Sequence, residues 1–506
     1  MPRPPLTRRD LLKAAATAGI AAAIAPLGGC AAATTRRSDA IRRENEKPGT
    51  TDWILTNTRV EPLAKYRSPA IEGFCSRNSV RAGETIELKL STNPPSPVTI
   101  DLYRMGYYGG KGGRHLTRLG PFEGITQPDP PVGPDRVREC RWETTARLPI
   151  PAEWLSGVYL GKLTATREGL QSYVVFIVRD DRACDFLFQC SDTTWSAYNR
   201  WPDYFSMYDD GTPPHAWVTG PNIAVSWDRP YGKYRQILDA PLSLGSGEFL
   251  LWEFPFAFWM EQQGYDLSYI SNVDTHADAR GLLRAKAFLS IGHDEYWSLE
   301  MFNHVMAARD GGVNLAFFSG NAVDGVTPLT PSAAGQPHRV ITRVGKFGKQ
   351  RRALERYTGW KQHGPDSATL MGAHTTEPAN GGADWRVVKA DHWLFAGTGM
   401  KNGDAIRGLV GWEHHGEPAD IPGLEVLARG PVSSNGRPQN TEYTATIYPG
   451  PKGNLVFNAA TIWWSDGLSA PPGYLRPTAH GNTPPGPDAR VQRITTNLFE
   501  RFLGRL

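Results

Sequence analysis

Residues 287–318 read AFLSIGHDEYWSLEMFNHVMAARDGGVNLAFF, which is an apolar run, a mixed segment and a second apolar run. The runs at 287–291 and 313–318 are short and bounded by glycine, which is typical of fully buried strands. The segment 298–309 between them carries apolar residues at helical spacing, namely Leu299, Phe302, Val305 and Met306. Because two glycines follow this segment, the stretch predicts a strand–helix–strand unit with parallel strands.

The same pattern occurs on either side of this unit. Apolar runs at 185–189 and 267–270 predict two further strands, and residues 253–263 predict a helix before the second of them. Closer to the C-terminus the chain returns to shorter strand-like pieces, and residues 490–502 predict a final helix. Repeated strand–helix units indicate a doubly wound α/β domain, which we place at 181–506.

Residues 67–180 have a different period. Apolar residues alternate with polar ones, as at Ile86, Leu88 and Leu90, and turns rich in Gly, Pro and Asn separate the short runs. Since no helical period lies between the runs, we predict an antiparallel, immunoglobulin-like β-sandwich. The glycine-rich run 106–113 lacks the spacing of a phosphate-binding loop and precedes no helical pattern, so it is predicted to be a wide turn.

The first thirty residues carry the features of a bacterial export signal. Arg8 and Arg9 precede an Ala-, Ile- and Leu-rich run that is too short to span a bilayer, and Leu-Gly-Gly leads directly into Cys30. This combination predicts a twin-arginine lipoprotein signal at 1–30, lipid on Cys30, and a periplasmic or cell-surface location. An Ala-rich N-terminal helix is the alternative, but it would not explain the adjacent arginines. The polar, charged stretch 31–66 is predicted to be a flexible tether.

Composition and charge exclude some partners. The 506-residue chain has a formal net charge of +4, so a nucleic-acid ligand is not expected. Membrane contact is expected through the lipid anchor only. Four cysteines remain besides the lipidated one, an even number that in an oxidising compartment leaves one or two disulfides open. The local pairing would join Cys75 to Cys140 and Cys184 to Cys190.

Polar clusters follow all four predicted strands of the α/β domain, at the edge where open α/β sheets bind ligands. The densest cluster is His293-Asp294-Glu295-Tyr296, which places an imidazole, two carboxylates and a phenol at one strand-to-helix turn. An acidic N-cap would explain one of the acids, but it would not explain the histidine. Asn321 follows the next strand and is expected to face the same crevice, unless it only forms a turn.

Two common hydrolase motifs are absent from the sequence. There is no G-x-S-x-G elbow of a serine hydrolase and no H-E-x-x-H of a zinc peptidase. A hydrolase built on this chain would therefore use a different arrangement of groups.

Five segments of the chain stand out when they are taken together. They are YRMGYYGG at 103–110, WSAYN at 195–199, SWDRPY at 226–231, GHDEYW at 292–297 and SGN at 319–321. In this order they resemble the large (β) subunit family of N,N-dimethylformamidase, and the likeness runs from about Ser68 to the C-terminus. The predicted fold is thus α+β multidomain, with the immunoglobulin-like sandwich followed by a doubly wound, glutamine-amidotransferase-like α/β domain.

The resemblance implies a mononuclear iron at which water attacks an amide carbonyl. By resemblance the iron ligands are Tyr198, Tyr231 and Glu295, while His293 and Asn321 position or activate water and substrate. Phenolate and carboxylate are hard oxygen ligands that suit ferric iron, and a Lewis-acidic metal polarises a carbonyl. The alternative for the two tyrosines is ordinary aromatic packing, since the chain has 18 tyrosines.

We therefore predict a hydrolase that cleaves a C–N amide bond in a small molecule, with Glu413 as a further catalytic acid implied by the resemblance. A cytoplasmic dimethylformamide-degrading enzyme needs no export signal, so the namesake solvent is not the expected substrate. One alternative is a non-catalytic surface module that binds glycan or protein. Another is a metal-dependent hydrolase of a different bond that uses His293, Glu295 and His276. The need for a small partner subunit is undecided, and a homo-oligomer stays open.

Overall fold

The computed structural model of the chain describes six segments. They are 39–61, 66–215, 223–233, 243–348, 361–376 and 378–506. Arg8, Arg9 and Cys30, on which the export and lipidation predictions depend, lie outside these segments. Within the six segments, no helix combines the length and the apolar character that crossing a bilayer requires. The fold is α+β, with many strands and few helices.

The N-terminal part starts with a short helix and continues as two sheets. Its elements are α1 (Asp39–Asn45), β1 (Glu72–Cys75), β2 (Ser79–Arg81), β3 (Thr85–Ser91), β4 (Pro97–Met105), β5 (Gly113–Glu123), β6 (Ala146–Pro149), β7 (Gly157–Ala165) and β8 (Leu170–Arg179). The five-stranded sheet has the order β2-β8-β7-β4-β5 and the three-stranded sheet the order β1-β3-β6. All pairs are antiparallel except β2 with β8. The glycine-rich run forms the turn between β4 and β5, as predicted.

Apolar side chains cover both faces of the five-stranded sheet. Ile100 and Leu102 of β4 pack in one core with residues of the three-stranded sheet. Tyr103 and Met105 lie on the opposite face, in the same core as Phe188 of the C-terminal part. Because successive strand residues point to opposite faces, this sheet is a middle layer between two cores.

The C-terminal part is longer and alternates strands with helices. Its first elements are β9 (Cys184–Cys190), α2 (Asp192–Tyr198), β10 (Phe205–Ser206), β11 (Asp209–Asp210), β12 (Ala224–Ser226), a π-helical turn (Phe249–Glu253), α3 (Phe254–Gln263), β13 (Leu267–Ser271), α4 (Asn272–Ala277), α5 (Ala279–Leu282), β14 (Ala285–Gly292), β15 (Tyr296–Trp297), α6 (Leu299–Asp310) and β16 (Asn314–Ser319). They are followed by β17 (Gly325–Val326), β18 (Leu329–Thr330), β19 (Val340–Thr342), β20 (Gly345–Phe347), β21 (Gln362–Gly364), α7 (Ala368–Met371), β22 (Ala373–Thr375), β23 (Ala383–Arg386), β24 (Ala405–Val410), β25 (His415–Pro418), β26 (Glu425–Ser434), β27 (Arg437–Pro449), β28 (Leu455–Asn458) and α8 (Ala489–Phe502).

A seven-stranded sheet organises this part, in the order β13-β9-β14-β16-β28-β27-β26. The first five strands are parallel, and the last two add antiparallel hairpin pairs. Phe186 and Phe188 of β9 pack on the face that α3 and α8 cover, whereas Leu187 packs on the face that α6 covers. The four strands predicted from apolar runs are therefore confirmed, and their carboxyl ends lie at one edge of the sheet.

The predicted tether differs from the structure where the chain is described. Helix α1 packs on the folded body, and Ile41 is fully buried. Glu44 accepts hydrogen bonds from Tyr108 Oη at 2.9 Å and from Arg114 Nε at 2.7 Å. The sequence did not predict this packing, because the contacts are made mainly by charged and amide groups, which are also typical of a solvated linker.

A buried ion pair joins the five-stranded sheet to α3. The guanidinium of Arg104 donates to both carboxylate oxygens of Glu261, at 2.8 and 3.0 Å, and both side chains are 0% exposed. Asn45 of α1 donates to the same carboxylate at 2.9 Å. Three elements that are distant in sequence thus share one buried charge pair.

The described cysteines are free thiols, so the local pairing is not found. Cys184 and Cys190 stand at the two ends of β9, which places them about 20 Å apart in an extended strand, far beyond the reach of a disulfide. Cys75 points into the core between the two N-terminal sheets, while Cys140 packs with Phe74 on the other face of β1. An even number of cysteines does not show whether their side chains face each other in the fold.

Asp466 gives the fold a predictable pH dependence. It is fully buried and accepts a hydrogen bond from the Tyr474 hydroxyl, and burial raises its pKa to about 7. A carboxyl whose pKa is raised in the folded state favours folding below its unfolded pKa, and this contribution is lost as pH rises toward 7. Compared with Asp466→Asn, the wild type should lose up to about 1.4 kcal/mol of stability per pH unit between about pH 4 and 7.

Denaturant unfolding at several pH values measures this difference. The exposed Asp391 offers a matched Asp→Asn control that should leave the slope unchanged. Parallel stability curves for the wild type and Asp466→Asn would show the prediction to be wrong.

Candidate active site

A tight turn after β14 carries three polar residues out of the sheet. Gly292 ends β14 with φ +69°, and a Cβ on it would lie 2.6 Å from Cβ of Trp252. Both the left-handed backbone and the close approach require glycine. His293, Asp294 and Glu295 follow and are all buried, at the sheet edge where the sequence predicts a site.

Asp294 faces away from the other two groups. Its carboxylate accepts hydrogen bonds from Ser290 Oγ at 2.7 Å and from Gln189 Nε2 at 2.8 Å. Ser298, not an acid, caps the N-terminus of α6. Asp294 is therefore a structural residue that ties the turn to the strands, and the N-cap explanation does not account for Glu295.

Phenols surround the carboxylate of Glu295. Tyr198, at the end of α2, donates a short hydrogen bond to Oε2, and the hydroxyl of Tyr208 lies 3.2 Å from Oε1. The two phenol oxygens are 2.9 Å apart, and Tyr296 donates a short hydrogen bond to Tyr208. All four side chains are buried. The arrangement concentrates acidic oxygen atoms around one carboxylate.

His293 lies between three carboxylates. Its Nδ1 is 3.1 Å from Glu248 Oε2, and its Nε2 is 3.4 Å from Glu295 Oε2 and 3.2 Å from Glu413 Oε2. Burial alone would lower the pKa of His293, but the negative charges of Glu413 and Glu248 outweigh burial and hold it well above its ordinary value. The same imidazole holds the pKa of Glu295 below its usual range against the effect of burial.

One close backbone contact joins the loop that carries Asn321 to the loop that carries Glu413. Gly320 follows β16, and a Cβ on it would lie 2.1 Å from the carbonyl oxygen of Glu413. No other residue would permit this approach. Asn321 comes next, is buried and adopts φ +56°, a left-handed conformation that asparagine tolerates better than most residues.

Arg343 places a buried positive charge beside the phenols. Its guanidinium carbon lies 4.9 Å from the centre of the Tyr208 ring and 5.2 Å from that of Tyr296. Burial raises the pKa of Tyr208 far above its ordinary value, and the charge of Arg343 offsets part of that rise. The site therefore holds a compensating cation of its own.

Two residues that the sequence suggested lie apart from Glu295. Tyr231 packs edge-on against the Trp195 ring, with ring centres 6.3 Å apart, and it lines a cavity together with Arg339. Tyr231 as a ligand stays a prediction. His276 instead lies 2.8 Å from Ser298 Oγ, with its ring 4.7 Å from that of His338.

Three residues at the site were not found by sequence reasoning. Tyr208, Glu248 and Arg343 come from loops and from the approach to a π-helical turn, where no local period marks them. Tyr208 is one of 18 tyrosines, and the other two are common charged residues. The one sequence signal that could have found Glu248 is an acid placed directly before the largely apolar segment Phe249–Glu253.

The donor set fits a metal ion. One ligand atom from each of His293, Glu295 and Glu413 lies within 4.8 Å of the others, and no other such group of His, Cys, Asp or Glu occurs in the described segments. His293 Nε2 is buried and makes no hydrogen bond within them. Hard carboxylate and phenol oxygens beside a nitrogen without a hydrogen bond are what a metal ion would draw together.

Comparison with known proteins identifies the family of the chain. A search of curated proteins finds no significant match to the chain. A family model described as N,N-dimethylformamidase beta subunit-like, C-terminal, matches residues 99–480. The matched region contains Tyr198, His293, Glu295, Asn321 and Glu413. The chain therefore belongs to the N,N-dimethylformamidase beta subunit-like family.

Proposed function

We propose that this protein is a metal-dependent hydrolase that cleaves a C–N amide bond of a small molecule. The observation that carries the proposal is the buried carboxylate of Glu295, with the phenols of Tyr198 and Tyr208 and the imidazole of His293 against it. Membership of a dimethylformamidase-like family supports an amide-hydrolysing activity. Burying several acidic groups together is costly, and a bound cation would offset that cost.

Iron is the metal that we propose, with Tyr198, Glu295 and a second tyrosine as ligands. The resemblance implies Tyr231 for the second tyrosine, but contacts support Tyr208, because its hydroxyl lies 3.2 Å from Glu295. Phenolates and carboxylates suit ferric iron. When bound, the metal supplies a Lewis acid that polarises the amide carbonyl and lowers the pKa of water.

Side chains of the protein supply the proton transfers. Because His293 Nε2 lies 3.2 Å from Glu413, a proton can pass between these two groups and on to the leaving nitrogen of the amide. We propose this role for His293 and Glu413, and a hydrogen bond from the amide of Asn321 to the substrate carbonyl. The complete burial of the imidazole would keep bulk water from competing for the proton.

A second ligand set has one observation in its favour. His293, Glu295 and Glu413 lie close enough to hold a metal ion by themselves. An imidazole with two carboxylates needs no phenolate, and it would suit a hydrolase of a different bond. The two sets differ in colour, because phenolate bound to ferric iron absorbs visible light.

Substitution of single tyrosines tests the ligand set. We expect the iron-loaded protein to be coloured, and Tyr198→Phe and Tyr208→Phe to lose most of the visible absorption and much of the iron. Tyr231→Phe should keep both, since Tyr231 contacts Trp195. Absorption spectra and metal analysis of each purified variant measure the effect.

The outcomes separate the alternatives. Iron kept in both phenylalanine variants but lost in His293→Ala would favour the second ligand set. Loss of the absorption in Tyr231→Phe alone would restore the tyrosine that the resemblance implies. A wild type that is colourless and iron-free after expression in iron-replete cells, and that hydrolyses no small amide, would contradict the hydrolase proposal. The non-catalytic binding module would then be the favoured function.

The setting of the activity is also a proposal. We propose export by the twin-arginine route and lipid anchoring at Cys30, with membrane contact through the lipid only. The substrate would then be an extracytoplasmic small-molecule amide rather than the namesake solvent. We further propose that the two N-terminal sheets form an immunoglobulin-like sandwich and that the seven-stranded sheet is glutamine-amidotransferase-like. Mass spectrometry of the mature N-terminus tests the export proposal.

A further inference from the structure

Glu248 touches the candidate active site through one atom of His293. Its Oε2 lies 3.1 Å from His293 Nδ1, and the side chains are 2% and 0% exposed. A carboxylate can only accept here, so the Nδ1–H group of the imidazole donates the hydrogen bond. The other ring nitrogen, Nε2, faces Glu295 and Glu413.

The backbone around Glu248 is shaped to bring this carboxylate inward. Gly245 and Gly247 have φ +86° and +58°. A Cβ on Gly245 would lie 2.0 Å from the carbonyl oxygen of Tyr173, and one on Gly247 would lie 2.6 Å from the Trp195 ring. The π-helical turn Phe249–Glu253 follows directly, and such turns are frequent at functional sites.

Aromatic rings enclose the imidazole but do not fix its rotation. The Tyr198 ring lies 4.9 Å from the His293 ring at an angle of 38°, and the Trp252 ring lies 5.8 Å away at 63°. These contacts are apolar and would accept a ring turned by 180°. Among the described residues the imidazole makes one hydrogen bond, that of Nδ1 with Glu248, while Nε2 faces the carboxylates of Glu295 and Glu413 without one.

The fold satisfies the carboxylate of Glu248 only in part. Glu248 Oε1 is buried and has no hydrogen-bond partner among the described residues. A buried acid with one oxygen unsatisfied costs stability, and an apolar side chain would remove that cost. An acid in this position, with His293 as its hydrogen-bond partner, points to a role in the chemistry of that histidine.

We propose that Glu248 is a positioning residue, which holds the His293 ring so that Nε2 faces Glu295 and Glu413. This inference rests on the proposed function, in which His293 carries the proton. Carboxylates that accept from the remote nitrogen of a catalytic or metal-bound histidine orient that ring, and their loss typically costs about 10- to 100-fold in activity or metal affinity.

Kinetic measurement on the full-length, metal-loaded protein tests the proposal. Glu248→Ala should lower kcat for small amides by about 10²-fold with KM changed by less than about threefold. Glu248→Gln keeps an acceptor oxygen, so its kcat should fall by about tenfold or less. Glu253→Gln is the matched control. Glu253 is an equally buried acid on the same turn, but it binds Ser191 N and Trp195 Nε1 instead of the histidine.

Proton NMR supplies a readout that does not depend on activity. The Nδ1–H proton of His293 should resonate far downfield in the full chain, measured with diamagnetic gallium(III) in place of iron where iron is bound. This resonance should disappear in Glu248→Ala, shift in Glu248→Gln and stay in Glu253→Gln. A wild type that hydrolyses no amide would refute the proposed function, while the resonance would still decide whether Glu248 holds the ring.

Three results would overturn the inference. The first is a Glu248→Ala protein with wild-type kcat and an unchanged resonance. The second is a fall in kcat while the resonance stays, because Glu248 would then act on the substrate. The third is an equal loss of kcat and melting temperature in Glu248→Gln, Glu253→Gln and Glu248→Ala, which marks a purely structural role.

Discussion

Changing Glu295 to glutamine should remove the bound metal and the turnover together. Glutamine keeps the shape of the side chain but loses the charge that faces the Tyr198 hydroxyl, the Tyr208 hydroxyl and His293 Nε2. A neutral amide is a weak ligand for ferric iron, and it can no longer balance the imidazole. We expect less than about a tenth of the wild-type metal content and a fall in kcat/KM of about 10³-fold or more.

Metal analysis and steady-state kinetics on a panel of small amides measure this change. Glu300→Gln is the matched control, because Glu300 lies five positions further along the chain and its side chain is 56% exposed. The control should keep its metal and its rate. A Glu295→Gln protein with wild-type metal content and turnover would rule out Glu295 as a ligand in either proposed set.

Arg104→Met should destabilise the fold more than any other single change proposed for this chain. The substitution leaves Glu261 buried at 0% exposure without the guanidinium that neutralises it. Removing one partner of a buried ion pair typically costs about 3–5 kcal/mol. The variant also removes the hydrogen bond from Arg104 to the Tyr108 hydroxyl, and it leaves Asn45 bonded to a carboxylate without its cation. Denaturant unfolding gives the free energy of the variant.

A surface pair and a double variant provide the controls. Arg118 binds Asp101 at 2.8 Å, but its side chain is 64% exposed, so Arg118→Met should cost less than about 1 kcal/mol. The double variant Arg104→Met/Glu261→Met removes both charges and should recover a large part of the lost stability. Equal stability of Arg104→Met and Arg118→Met would contradict the prediction.

The sequence predicts four of the seven strands of the large sheet well because these strands are buried on both faces. Strands β9, β14 and β16 read as continuous apolar runs, and this signal is local. The rule that polar groups gather at the carboxyl ends of parallel strands then leads to His293 and Glu295 without any contact information. Both lie in the structure at that edge of the sheet.

The rest of the site depends on long-range contacts that no local pattern records. Tyr208 reaches Glu295 across 87 positions of the chain, and Glu248 reaches His293 across 45. Neither residue belongs to a strand end or a helical stripe. The helix α1 was missed for a related reason, because it docks through Glu44 and Asn45, whose polarity is also typical of a solvated linker.

The five-stranded sheet, which lies between two cores, limits the insertions and substitutions that relatives of this protein can carry. A single-residue insertion in β7 would exchange the faces of residues such as Val158 and Tyr159, and one in β8 would do the same to Tyr173 and Val174, so either would disturb two cores at once. A substitution on one face must fit the three-stranded sheet, and a substitution on the other face must fit the C-terminal part. Length variation among relatives should therefore gather in the connections between strands, while β7 and β8 keep their length across the family.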